Sequence, residues 1–292
     1  MAKARALEKR RKAVSKIRKI TRTMELIATG RFKKAMDRAH ASTAYTRRMT
    51  QLVADLANSG LEVSHPLLEE REEVRRAVLL VMTANRGYCG GYSSNVLRIA
   101  LARATELKSQ APQFDLEVSG KRGIVSCKHR RFEITQSYTH FEDKPTFEQV
   151  EVLANRYLEE FTAGKLDRLD VAYTRFENAS RQFAVVETLL PLGALGDATS
   201  KSGGAGKQYE FLPSAATILE EIVPTSFRIK LFKCFLDAAV SEQIARMVAM
   251  KSATKAAGDR IKQLSIAYNR ARQTQITSEL LDLMGGVEAL KN

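Results

Sequence analysis

The chain has 292 residues, 44% of them hydrophobic, and no run of about 18 uncharged apolar residues; that is enough for one medium core but excludes a transmembrane helix. Its net charge of +14 is unevenly placed: residues 1–50 carry 16 Lys and Arg against 3 Asp and Glu, while the rest carry 31 against 30. Three cysteines (Cys89, Cys127, Cys234) and four scattered histidines follow no ligand spacing, which excludes a zinc module or a disulfide framework and suits a reducing compartment.

Residues 1–58 read as one long helix. Leu7, Val14, Ile17, Thr21, Met24 and Ala28 step by three and four with Arg10 as an off rung, and Ala28, Phe32, Ala35, Ala39, Ser42, Thr46, Met49, Val53 and Leu56 continue the pattern one residue out of phase. Nearly all the excess basicity sits on this helix, which points to an acidic or polyanionic partner around it. The basic start lacks the apolar core and cleavage site of a secretory signal, and the ladder that begins at Leu7 reads as structure rather than as a transit peptide. Asn58-Ser59-Gly60 supplies a stop.

Residues 77–83, AVLLVMT, form a continuous apolar run, the pattern of a strand buried on both faces. A glycine-rich turn, Asn85 to Tyr92, leads into a helix over about 93–108 that Pro112 ends. Residues 115–119 predict a second strand, 121–129 a short helix and 132–135 a third strand. Thr146-Phe147-Glu148-Gln149 is a capping box that opens a helix running to 163, with Gly164 as its stop. Residues 169–176 and 182–190 predict a hairpin, so the sheet is mostly parallel with one antiparallel edge. Pro191 to Lys207 is a flexible Gly/Ser stretch and 209–212 a short extended piece, so the loop between domains is set at 196–212. A short helix near 215–222 follows, and Pro224 is expected to precede the last long helix.

That last stretch, about 65 residues from Ser226 to Leu290, would be roughly 100 Å long as a helix at 1.5 Å per residue. Leu236, Val240, Met247, Met250, Ala257, Ile261, Leu264, Tyr268 and Ala271 form one seam of period 3.5, with Gln243 and Thr254 as its polar rungs. After Ala271 the seam slips to Ile276, Leu280 and Leu283, so the final turns pack differently or project alone. A seam requires a partner helix, and the first segment supplies one. The predicted fold is α/β: a long antiparallel coiled coil of the N- and C-terminal helices plus a Rossmann-like, mostly parallel α/β domain. The expected parts are 1–60, 75–195, the 196–212 loop and 213–292.

Candidate chemistry is sparse. Gly203-Gly204-Ala205-Gly206-Lys207-Gln208 fails as a phosphate loop, because Lys201 stands where the first glycine belongs and Gln208 where a magnesium-binding hydroxyl belongs. Gly87, Gly90 and Gly91 do not match a dinucleotide fingerprint, so Arg86 to Tyr92 reads as a tight strand-to-helix turn. No base is placed near Cys89. The chain carries no active site of its own, and neither a cofactor nor a metal is expected. A nucleic-acid-binding role for the basic helix is the rival reading; few aromatics accompany the charge (Phe32, Tyr45), and it leaves the C-terminal seam without a task.

Three stretches together resemble the gamma subunit of F-type ATP synthase: Ile17 to Ala28 (IRKITRTMELIA), Asn85 to Asn95 (NRGYCGGYSSN), and Ser241 to Met250 with Tyr268 to Gln273, Ile276 to Leu280 and the ending Gly285-Gly286-Val287-Glu288-Ala289-Leu290. Glu25 stands where the family has lysine, Thr23 where it has a small apolar residue, and Tyr88 where it has leucine. The resemblance implies a central rotor shaft inside a hexameric ring of alpha and beta subunits, with the α/β domain on the c-ring and the epsilon subunit beside it. It implies no nucleic-acid partner, no small-molecule substrate and no catalysis by this chain. It further implies a peripheral place on the cytoplasmic face of a bacterial inner membrane. By motif match, Met24 and Glu25 would meet an acidic segment of the beta subunit, Arg246, Gln273 and Thr277 would make polar catch contacts, and the tail from Ile276 to Leu290 would sit in a sleeve.

Overall fold

The computed structural model describes residues 2–57, 65–69, 71, 73–141, 144–192 and 215–291, with side chains at all of these except 2–3, 41–47, 49–57, 215–219 and 288–291. The elements run α1 (Ala2–Ala57), β1 (Arg76–Met82), α2 (Tyr92–Gln110), β2 (Gln113–Ser119), α3 (Lys121–His129), β3 (Gln136–Tyr138), α4 (Phe147–Thr162), β4 (Arg168–Asn178), β5 (Arg181–Leu190) and α5 (Ala215–Lys291). They form two compact units, Met1–Ala28 with Arg246–Asn292, and Thr29–Ala245. The 196–212 loop and the stop at Asn58–Gly60 lie outside the described residues.

In the first unit α1 and α5 pack antiparallel. Thr21 meets Thr254 through their hydroxyls at 2.9 Å, Arg18 lies over the bare Cα of Gly258, and the Arg11 guanidinium sits 5.1 Å from the Tyr268 ring centre. Along one helix the numbers fall as they rise along the other. Ala28, Met250, Ala257 and Leu264 are buried, and Met247, Ile261, Tyr268 and Ala271 are half-buried, as their shared stripe requires. Ile17 departs from the expected ladder. It is 52% exposed. Ile276, Leu280 and Leu283 are exposed beyond the seam's slip.

The second unit is built on a five-stranded sheet in the order β3-β2-β1-β4-β5, with only β4·β5 antiparallel. β1 lies at its centre and is buried from Ala77 to Met82, as a strand with helices on both faces must be. One face packs α4 and the first part of α5 around Tyr157, Phe161, Phe227 and Leu231; the other packs α2 and α3 around Val96, Ala100, Leu107 and Cys127. A third cluster joins Ala35 and Ala39 of α1 to Leu236, Val240 and Ile244 of α5, with Phe32 half-buried at its margin. The remaining outer rungs of the α1 seam, from Ser42 to Leu56, are side chains outside the described set. The capping box at Thr146 and Gln149 forms, and Gly164 adopts φ +71° after α4.

Two expectations are corrected. Pro224 lies inside α5 rather than before it. Proline there leaves one main-chain carbonyl without its helical donor. Burial of Val223 and Phe227 on the sheet holds the helix through that point, and the Thr225 hydroxyl donates to the Glu221 carbonyl at 2.8 Å. The third strand is Gln136–Tyr138, not 132–135. Arg131 turns the chain at φ +60°, and Phe132 and Ile134 pack onto the core to close α3 instead of joining a ladder.

Candidate functional site

The basic character of α1 is expressed at its surface. Arg5, Lys9, Arg10, Lys12, Lys16 and Lys19 are exposed. Glu8, held below the usual carboxylate range by its hydrogen bond and charge contact with Lys12 at 2.8 Å, offsets one of them. Exposed pairs of this kind contribute little, because water and salt screen them. A surface of long, solvated cations therefore offers many weak contacts that are easily remade.

The five residues singled out in the sequence fall into two stations on the first unit. Met24 is half-buried and Glu25 is 8% exposed, with a carboxylate oxygen accepting from Arg22 at 2.8 Å. Arg246 is buried as well. The helical period places Met24 and Glu25 beside the seam residue Ala28, which is why their side chains are only partly free to face outward. Gln273 and Thr277 lie elsewhere, about 40 Å from Arg246 along α5 at 1.5 Å per residue. Both are exposed, and the Thr277 hydroxyl donates to the Gln273 carbonyl at 3.1 Å. With Arg270, Thr274, Ser278 and Leu281 they line one shallow face of the helix.

Sequence reading missed the work of the turn after β1. The Asn85 carboxamide donates to the carbonyls of Thr139 and Phe141 at 3.1 and 3.0 Å and accepts the Lys121 main-chain N–H at 3.1 Å. The next two N–H groups of α3 are also taken internally, Arg122 by the Ala84 carbonyl at 3.1 Å and Gly123 by the Thr83 hydroxyl at 2.9 Å. The start of α3, where a doubly wound sheet could hold a phosphate, is thus satisfied by the chain itself. A side chain on Gly123 would lie 2.4 Å from that same hydroxyl, so only glycine admits the contact. Farther along the turn the Tyr92 hydroxyl donates to the Ala238 carbonyl at 3.1 Å, and Ala84, Cys89 and Tyr92 pack together with Ala245 against them. Cys89 is buried in this cluster. The only signal for these roles was the composition of the Asn85–Tyr92 turn, and their partners lie 36 to 146 residues away.

Among the described residues no three His, Cys, Asp or Glu side chains are grouped to hold a metal ion, and no helix is long and apolar enough to cross a membrane.

The ATP synthase family model matches residues 3–290. The ATP synthase gamma chain of Rhodopirellula baltica is 59% identical over the whole of both chains. Among solved structures, a chain of the Euglena gracilis mitochondrial ATP synthase in its OSCP/F1/c-ring assembly superposes with a TM-score of 0.68 at 17% identity, covering 99% of this chain and 95% of that one. A chain from the rotor of the same enzyme gives 0.64 at 16% identity, covering 94% and 99%. At these identities the two structures speak for the fold. The full-length likeness to the curated gamma chain, together with the family match, shows that the chain belongs to the ATP synthase gamma chain family.

Proposed function

We propose that this chain is the central rotor shaft of an F1Fo ATP synthase. It transmits torque between an ion-driven c-ring and the ring of alpha and beta subunits, so that the beta sites make or hydrolyse ATP in sequence. The observation that carries the reading is the antiparallel packing of the chain's two ends in a protein 59% identical to a gamma chain along its whole length. A pair of interlocked helices resists bending and twisting better than either helix alone, and torque requires that stiffness. The nucleotide chemistry belongs to the partner subunits; this chain binds no cofactor and acts as a non-catalytic subunit.

In this reading the α/β domain of residues 75–195 stands on the c-ring with the epsilon subunit beside it, and the helices of 1–60 and 213–292 enter the alpha–beta ring. Met24, Glu25 and Arg246 serve one bearing station, Gln273 and Thr277 a second, and the exposed apolar tail beyond Ile276 the sleeve. The complex places the chain as a peripheral subunit on the cytoplasmic face of a bacterial inner membrane. Affinity purification of the full chain tests the proposal: alpha- and beta-like chains are expected to come with it, and their absence would overturn it. Truncation after Leu264 is expected to impair assembly or coupled synthesis, and unchanged synthesis would remove the shaft role from that end.

A further inference from the structure

On and just after α3, Lys121, Arg122, Lys128, His129, Arg130 and Arg131 fall within eleven residues that hold no aspartate or glutamate. Residues 51–292 as a whole carry 31 Lys and Arg against 30 Asp and Glu; five of the 31 lie in this stretch, which leaves 26 against 30. The cluster is thus a local excess, separate from the basic α1. All six side chains are exposed, and among the described residues none makes an ion pair. Arginines closer to the sheet behave otherwise: Arg71, Arg76, Arg103 and Arg156 each hold a carboxylate.

Helix electrostatics explains only part of this. Cations are favoured against the carbonyl end of a helix, which accounts for Lys128 and His129 in the last turn of α3. Arg131 needs another reason. It stands at φ +60° in a Schellman closure, where its N–H donates to the Lys128 carbonyl and the Phe132 N–H to the Cys127 carbonyl, both at 3.0 Å. Glycine fits that position without strain, yet the chain places a third arginine there. The closure also fixes the point from which the Arg131 side chain starts.

The surroundings narrow the occupant. The N–H groups of Arg130, Arg131 and Phe132 are all taken by the chain's own carbonyls, so a compact phosphate finds no main-chain donors. Phe132 is half-buried with the Lys108 ammonium 5.4 Å from its ring centre, which leaves no open phenyl face for a base to stack on. Val125 is the one large apolar side chain exposed on α3, too little to enter a membrane. What the surface offers is long cationic side chains, spread over about 12 Å from Lys121 to His129 at 1.5 Å per residue. Its guanidinium forks pair carboxylates two bonds at a time.

We propose that this end of α3 is a docking surface for an acidic segment, a run of Asp and Glu, on a subunit that turns together with this chain. The inference rests on the rotor reading. Several charge pairs made at once dissociate slowly, which suits a partner that stays with the shaft and not a ring that the shaft sweeps past.

Carbodiimide, which joins a lysine amine to a carboxylate only in direct contact, tests this on the intact complex, with the linked peptides mapped by mass spectrometry. Lys128 is expected to be joined to an Asp or Glu of a co-rotating subunit. Lys128 unlinked in an assembled complex, or joined only to alpha- or beta-like chains or to a second copy, would overturn this proposal alone. A chain that does not assemble would overturn the rotor reading and this proposal together. Arg130→Gln with Arg131→Gly removes two charges and relieves the backbone. The melting midpoint of that double variant is expected to hold or rise, while the linked subunit binds roughly ten-fold more weakly and with a shallower dependence on salt. Unchanged binding would also overturn the proposal. Binding of the full chain to phosphatidylglycerol vesicles that the double variant loses, with Lys128 unlinked in the complex, would assign the surface to anionic lipid instead.

Discussion

The hydroxyls of Thr21 and Thr254 meet at 2.9 Å across the two terminal helices, a polar rung in a mostly apolar seam. Each hydroxyl also contacts its own helix, Thr21 at the Arg18 carbonyl and Thr254 at the Met250 carbonyl, so removal of one does not strand the other. Thr254→Val is therefore expected to cost no more than about 1 kcal/mol, and the Thr21→Val, Thr254→Val double variant no more than either single. Thermal denaturation of the three variants checks this; losses that add would show that the hydroxyls act independently.

Met250 is 5% exposed on the same seam. Met250→Asp places a carboxylate there at a cost of several kcal/mol unless it takes up a proton. The expected outcome is faster exchange and proteolysis across 4–28 and 246–287, with the sheet's amides unaffected. Leu264→Ala, which leaves a void at a site 7% exposed, is expected to act in the same direction by about 2 kcal/mol. Unchanged exchange in both variants would show that the seam does not hold the helices together.

Glu25 is held by Arg22, whose own side chain is 57% exposed, so the pair contributes less than about 1 kcal/mol. Glu25→Gln keeps the shape and removes the charge. Its melting midpoint is expected to stay within a few degrees of the parent, while the protons pumped per ATP change. An unaltered ratio would take Glu25 off the bearing.

Asn85 makes three hydrogen bonds, two to the segment after β3 and one to the start of α3, and Asn85→Ala is expected to lower stability by about 2–3 kcal/mol. Asn85→Asp should cost at least as much, since a carboxylate cannot donate to the two carbonyls. Denaturant titration measures both; a harmless aspartate would mean that the acceptor role alone matters.

Burial lowers the half-buried Lys230 to about 8, with Arg175 adding to the effect and Cys234 opposing it. Unfolded lysine titrates near about 10.4, so between these values the unfolded chain holds a proton that the folded chain has shed. Stability therefore gains from Lys230 as pH rises through that window. Cys234, one turn away and raised by burial to about 11, acts in the opposite sense from about 8.5 upward. Lys230→Met is expected to be more stable than the parent at pH 7, with the difference closing by about pH 10.5. Parallel stability curves from pH 7 to 10.5 would show that Lys230 holds its proton in the fold.

How much of this was legible varies with sequence distance. Heptad spacing revealed both terminal helices, because the buried rungs Ala28, Met250 and Leu264 recur with the helical period. The apolar run of β1 and the capping box at Thr146 are equally local signals. β3 was misplaced because Phe132 and Ile134 look like strand residues but are drawn to the core, and the three residues that do pair carry no alternation. Pro224 was read as a boundary because local propensity is all a sequence shows there, whereas burial on the sheet decides the outcome. The stations of Met24, Glu25, Arg246, Gln273 and Thr277 came from a family likeness. Nothing in their spacing separates them from ordinary helix surface.

The filled turn after β1 has a last consequence. A doubly wound sheet usually keeps a hollow beyond its central strand ends, and adenylates favour such hollows. In this chain Asn85, Ala84 and Thr83 accept the first three N–H groups of α3. A phosphate arriving at the start of α3 would therefore meet amides already committed to the chain's own oxygens, so that end of the sheet works as a joint rather than a cradle.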